Sequence, residues 1–307
     1  MDRTSIPERV KQQLRSEAGF GCCFCGLPII QYHHILPYSV EAHHRTEDMM
    51  VVCPTCHDKI TKRAVPEFKQ RQAKARPFNL KRGKVKGLLE VNQAFCAMAV
   101  GPALFVGQGS IITINKQEIL GLYLNSENAL ELSLRVFDEA NNSILNIERN
   151  EWISGDCLPW DIKSDWRKLT IRSKARQVII SIDATSNPIS LQGRLWSFPG
   201  TIKMGKQGVH IDVGSKINVC RAAFINIGIN VDVGESSNAV SLMNPTMNGR
   251  IDTRNISLKQ MQQEAITDYE MWATERKIGK SIIHFQSIQQ PRFVAKDQGT
   301  INFGCKS

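Results

Sequence analysis

The sequence predicts an α+β chain: an N-terminal cysteine-stapled module, a mainly antiparallel β domain of sandwich or roll type, and a C-terminal helix. Three observations carry this. Five of the nine cysteines crowd into positions 22–56. From about residue 104 to 234 apolar residues recur with a period of two, and after Ser257 they return at helical spacing. A chain of 307 residues exceeds the usual single domain. The expected units are a module over 1–63, a basic linker over 64–87, a β-rich domain over 88–250, and a helix with tail over 251–307.

Ser5, with Pro7 and Glu8 behind it, has the form of a capping box. Val10, Leu14 and Ala18 then fall on one helical face, and the glycines of Gly19-Phe20-Gly21 end the helix. Beyond the cysteine cluster, Lys59 to Lys86 holds eleven lysines and arginines against one acid, Glu67. Pro66, Pro77 and Gly83 interrupt it, so it reads as a helix tail passing into a linker. Its cations Lys62, Arg63, Lys69, Arg71, Lys81 and Arg82 are candidates for tracking phosphates.

In the β region Leu130, Leu132, Leu134 and Val136 alternate with Glu131, Ser133 and Arg135. Val209-His-Ile-Asp-Val213 and the run from Ile225 to Val233 repeat the pattern, with turn signals such as Ser186-Asn-Pro188 between strands. Trp152, Trp160, Trp166 and Trp196 are expected in the core, where tryptophan contributes most area. Arg167, Lys168, Arg172, Lys174 and Arg176 form a second basic cluster. From Ser257, the stripe Leu258, Met261, Ala265, Tyr269 and Trp272 fits a helix packed on the β domain or on a second copy of the chain.

A net charge of +10 favours a polyanionic partner, nucleic acid before membrane. The uncharged run from Val91 to Asn115 is broken by Gly101, Pro102 and further polar residues, so no membrane span is expected and the run reads as buried strand or helix. An odd number of cysteines in one dense cluster is unlike a secreted disulfide scaffold. With no signal-peptide pattern at the N-terminus, a reducing cytoplasmic setting is expected.

Cys22-Cys-Phe-Cys25 and Cys53-Pro-Thr-Cys56 are two C-x-x-C pairs. One pair alone could be a redox motif. Two pairs together supply the four thiolates of a closed structural zinc site, which stabilises a module too small to fold on its core alone. Cys23 is left as a spectator. Between the pairs lies Tyr32-His-His-Ile-Leu-Pro37, and His57 follows Cys56 directly.

On His33, His34, Ile35 and Pro37, then Cys53, Cys56 and His57, the chain resembles the HNH endonucleases, the treble-clef form of the ββα-metal nucleases. The resemblance spans roughly residues 5–65. It implies metal-dependent hydrolysis of phosphodiester bonds, leaving a 5′-phosphate and a 3′-hydroxyl. His34 matches the general base, while His33 and His57 match the ligands of a catalytic divalent ion: magnesium first, manganese or nickel as alternatives. Where the family has Asn, five residues before the second C-x-x-C-H, this chain has Asp48. Asp48 keeps acceptors but, once ionised, cannot donate, so the family's loop-pinning bond is in question, while its carboxylate could still ligate magnesium and keeps it a catalytic candidate. Successive strand residues point to opposite faces, so His33 and His34 share one site only if the strand bends; if one alone faces the site, His34 is the expected one. His43 and His44 are expected on the loop surface, with a substitute ligand role for either as the alternative.

By analogy, an HNH module joined to a larger domain suggests a prokaryotic restriction or anti-phage nuclease acting on DNA, with RNA as the other polymer. Its β domain would recognise the target or a small-molecule or modified-base signal. One such site cuts one strand, so double-strand cleavage calls for a homodimer. The competing readings are a zinc ribbon that binds nucleic acid without cutting, and a mobile-element or homing nuclease.

Overall fold

The computed structural model describes residues 5–93, 96–101, 103–127, 129–155, 158–197, 200–213, 216–219, 223–225, 228–233, 238–243, 267, 282–284, 292–295 and 300–303. The chain is mixed α/β and rich in strands. Its first unit comprises α1 (Glu8–Glu17), the hairpin β1 (Gln31–His34) and β2 (Met49–Val52), α2 (Pro54–Thr61), α3 (Glu67–Ala75) and α4 (Phe78–Arg82). Leu14 and Ala18 bury the predicted face of α1 against Met49, Met50, Val51 and Val52. The helix starts after Pro7, which makes no side-chain cap, so the Ser5 capping box does not form. Proline already has the φ of a helix entry and no N–H to satisfy.

The basic stretch is not an open linker. Pro66 and Pro77 each cap a helix N-terminus, and Gly83 ends α4 at φ 67°. These helices pack with polar side chains: Gln70 and Asn79 are both buried.

The β domain runs from β3 (Lys86–Leu88), β4 (Ala97–Val100), β5 (Ala103–Val106), β6 (Gly109–Ile114), β7 (Gln117–Leu124), β8 (Leu130–Phe137), β9 (Ser143–Glu148) and β10 (Glu151–Ser154). It continues with β11 (Asp161–Ser164), β12 (Lys168–Lys174), β13 (Gln177–Asp183), β14 (Ile189–Ser197), β15 (Gly200–Gly205), β16 (Gly208–Asp212) and β17 (Lys216–Val219). Then come β18 (Ala223–Ile225), β19 (Gly228–Val233), β20 (Asn238–Met243), β21 (Ile282–His284), β22 (Arg292–Ala295) and β23 (Thr300–Phe303).

One antiparallel meander joins β6 through β10 and ends on β3; another joins β11 through β17. Parallel pairings tie distant strands together, among them Ile189 with Met98 and Ile229 with Ile112. Leu130, Leu132, Leu134 and Val136 are sealed in the core, as their alternation requires. Each such side chain contributes roughly 1.5–3 kcal/mol of burial. The run from Val91 to Asn115 resolves into β4, β5 and β6, with no described helix.

The tryptophans divide. Trp152 is core, but Trp160 and Trp166 are exposed; both flank the short edge strand β11, outside the apolar interior. The helix expected from Ser257 lies outside the described residues except for Thr267, which is helical. Among the described residues, no helix is long and apolar enough to cross a membrane.

The module is docked firmly on the β domain. Arg15 of α1 reaches Asp161 of β11, Gln12 Nε2 donates to the Trp160 carbonyl at 2.9 Å, and Ile29 bridges to Ser164. Phe20 adopts φ 58°, strained for a bulky residue. The strain is offset because this conformation buries its ring in the β core.

Candidate active site

Two knuckles bring the four cysteines together. In the first, the Gly26 amide donates to the Cys22 carbonyl at 2.8 Å, and the Cys22 amide donates to the Leu27 carbonyl at 2.9 Å. Gly26 holds φ 79°, and a Cβ there would collide with the Asn79 amide oxygen at 2.3 Å. Asn79 Nδ2 donates to the carbonyls of Gly19 and Gly26, so α4 clamps the knuckle from outside. In the second, Cys53 caps α2 and its sulfur accepts from the Cys56 amide at 3.4 Å.

The Sγ atoms of Cys22, Cys25, Cys53 and Cys56 all lie within 4.8 Å of one another, the one such donor group among the described residues. Cys25 and Cys53 are 3.7 Å apart. Four sulfurs each about 2.3 Å from a tetrahedral zinc would stand about 3.8 Å apart, so donor type and spacing both fit zinc. Cys23 faces the apolar core, where burial pushes its thiol up to about 11.

The alternation of β1 separates the two histidines. His33 turns towards α2, its ring 5.2 Å from that of His57 and edge-on to it. Its Nε2 lies 3.1 Å from Gln70 Oε1, and Gln70 Nε2 donates to the Val65 carbonyl. That second bond orients the amide with its oxygen towards His33. The proton of His33 therefore sits on Nε2, and Nδ1 keeps its lone pair. Burial first, and then the neighbouring His57, hold His33 below the usual histidine value, which favours the neutral, metal-binding form.

His34 turns the other way and is 5% exposed beneath Tyr38, His43 and His44. Its Nε2 donates to the His43 carbonyl at 3.0 Å; a carbonyl only accepts, so Nδ1 is the basic nitrogen. His43 is buried rather than on the loop surface. Its Nε2 donates to the Leu36 carbonyl and its Nδ1 accepts from the Arg45 amide, so both nitrogens serve to shape the loop.

Asp48 stands at the mouth of β2. Its backbone carbonyl accepts from the Ile35 amide at 2.8 Å, and its carboxylate accepts from Arg45 at 3.1 Å and Arg71 at 3.3 Å. The carboxylate thus ties the loop to α3 through two arginines and makes no hydrogen bond to a histidine.

Lys62, Arg63, Lys69, Arg71, Lys81 and Arg82 are all exposed. Lys62 pairs with Asp58, Arg71 with Glu67 and Asp48, and Arg82 stacks on Phe78 at 4.5 Å. Sequence reasoning missed Gln70, Asn79 and the orienting role of His43. Their only signal was polar residues at sites that a packed helix or loop would bury.

Residues 22–63 match the family model described as HNH endonuclease, so the module holding the four cysteines and three of the candidate histidines is an HNH domain. The match stops before the β domain. No curated protein and no solved structure matches the chain.

Proposed function

We propose that this protein is a metal-dependent endonuclease that hydrolyses phosphodiester bonds in DNA. The observation that carries the proposal is the His33–His57 pair, which sets two imidazoles from β1 and α2 against each other beside a four-cysteine staple. His33 through Nδ1, together with His57, would hold a divalent ion. Once bound, the ion would neutralise charge on the scissile phosphate and on the leaving oxygen.

His34 is the base in this reading. Its neutral imidazole takes a proton from water at Nδ1, and the His43 carbonyl stabilises the resulting cation through Nε2–H. Asp48 positions the loop through Arg45 and Arg71 instead of touching the reacting atoms. Lys62, Arg63, Lys69, Arg71, Lys81 and Arg82 steer the polyanion.

The β domain, read as a sandwich or roll over residues 88–250, recognises the target or a signal, and the helix expected from Ser257 would support a homodimer. This arrangement suits restriction or anti-phage defence. Its support is the pairing of an HNH module with a larger domain that it contacts through Arg15 and Asp161.

The test is plasmid nicking by wild type, His34→Ala and His57→Ala, each with magnesium, manganese and nickel. Wild type should cut with at least one ion, and each variant should lose at least 100-fold in rate. Binding without cutting under every ion would leave a zinc-dependent nucleic-acid binder and overturn the proposal.

A further inference from the structure

A groove of about 710 Å³ opens along the zinc knuckles, on the far side of α2 from His57. Lys59 of α2, Arg82 of α4, and Lys84 and Lys86 at the entry to β3 line it, and no acidic side chain does. Several other cations of the module are tied down, Lys62 to Asp58, Arg71 to Glu67 and Asp48, and Lys74 to Glu17, and those that are not, such as Arg63, Lys69 and Lys81, do not line this groove. Lys59, Arg82 and Lys86 form no ion pair among the described residues.

The zinc centre does not account for these cations. An ion with four thiolates carries roughly two negative charges, and Lys59, Arg82 and Lys86 alone outnumber them. A positive surplus remains on an open surface. Arg82 is preorganised as well, its guanidinium lying 4.5 Å above the Phe78 ring with its donor edges left to fork onto two oxygens of a phosphate.

Helical geometry places this groove relative to the reaction. At about 100° per residue, Thr55 and Lys59 share one side of α2 while His57 projects from roughly the opposite side. A helix is about 10–12 Å across, comparable with the separation of the two backbones across a duplex groove of about 12 Å. We propose that the groove binds the phosphodiester backbone of the strand opposite the one presented to His33 and His57. This rests on the nuclease reading above and adds that the substrate is a duplex straddled by α2.

The test is equilibrium binding by fluorescence anisotropy without added divalent ion, so that nothing is cut. The triple variant Lys59→Gln/Arg82→Gln/Lys86→Gln and the single variants Lys59→Gln and Lys86→Gln are compared with wild type across a salt series. Lys74→Gln is the control, and zinc content is measured for each protein. For duplex DNA, the slope of log affinity against log salt should fall by about 1 for each cation removed. For a single strand of the same sequence it should not change. An unchanged duplex slope in zinc-loaded variants, or an equal fall for duplex and single strand, overturns the proposal. These outcomes are read from binding alone, so they stand apart from a failure to cleave.

Discussion

The Arg15 guanidinium and the Asp161 carboxylate meet side by side, Nε to Oδ1 at 2.8 Å and Nη2 to Oδ2 at 2.9 Å, with both side chains almost wholly buried. Nη1 also donates to the Tyr32 hydroxyl and Nη2 to Glu8, so four of the five guanidinium N–H groups are engaged. Desolvating two charges is costly, and a geometry this complete offsets the cost. The pair links α1 of the HNH module to β11, so the orientation of the module depends on it.

Removing one partner should therefore hurt more than removing both. Arg15→Met leaves buried Asp161 with only Arg172 at 3.9 Å, and Asp161→Asn leaves buried Arg15 with only the half-exposed Glu8. Each should lower stability by about 3 kcal/mol. The double variant Arg15→Met/Asp161→Leu should recover most of that loss. Urea unfolding followed through buried Trp152 reads the effect. Single variants within about 0.5 kcal/mol of wild type would mean that the pair does not hold the interface.

The features that could be read from sequence were those written in short-range spacing. The two C-x-x-C pairs, the α1 stripe of Leu14 and Ala18, and the Leu130 to Val136 alternation all depend on local periodicity. Residues 64–87 were harder, because α3 and α4 bury Gln70 and Asn79 where an apolar face would normally mark a helix. Pro66 and Pro77 were read as breakers when each is a helix start. In the site, strand alternation correctly divided His33 from His34. The motif ending in His57 already joined that residue to His33, but nothing revealed that Gln70 and His43 come from other segments to meet the two histidines, since such long-range contacts leave no spacing signal.

Zinc removal should unfold the module while sparing the β core. Structural zinc contributes on the order of 10–16 kcal/mol of apparent binding energy, more than a module this small gains from its own packing. One zinc per chain is expected, and Cys22→Ser or Cys53→Ser should abolish it. Cys23→Ser, in the apolar core, should keep the ion and lose only packing. Metal analysis with circular dichroism before and after chelation checks this. Loss of zinc from Cys23→Ser would show that the ligand set is wrong.

Gln70 is predicted to act through His33. Gln70→Leu removes the acceptor that holds the His33 proton on Nε2, and loss of an orienting partner typically costs 10–100-fold in metal affinity. Calorimetric titration of manganese into zinc-loaded protein should show that loss with zinc content unchanged. Gln70→Glu, which keeps an acceptor, should retain most of the affinity. Equal manganese affinity in wild type and Gln70→Leu would remove Gln70 from the site.

Asp48→Asn tests what the departure from the family pattern does. Burial works to raise the Asp48 carboxyl, but hydrogen bonds from Arg45 and Arg71 prevail and hold it below its ordinary value of 3.8. A carboxyl depressed in the folded state contributes stability that is complete above the ordinary value and disappears as pH falls through the folded one. Wild type should thus lose part of its stability below about pH 3.8, over a step that Asp48→Asn lacks. At neutral pH the amide oxygen of Asp48→Asn still accepts from an arginine, and its N–H restores the donor that the family's residue supplies. The loop should stay in place and nicking should persist within a few-fold of wild type. Acid unfolding by circular dichroism and nicking at neutral pH read the two parts separately. A variant that keeps its zinc and fold but cuts 100-fold more slowly would place Asp48 among the catalytic residues and not behind them.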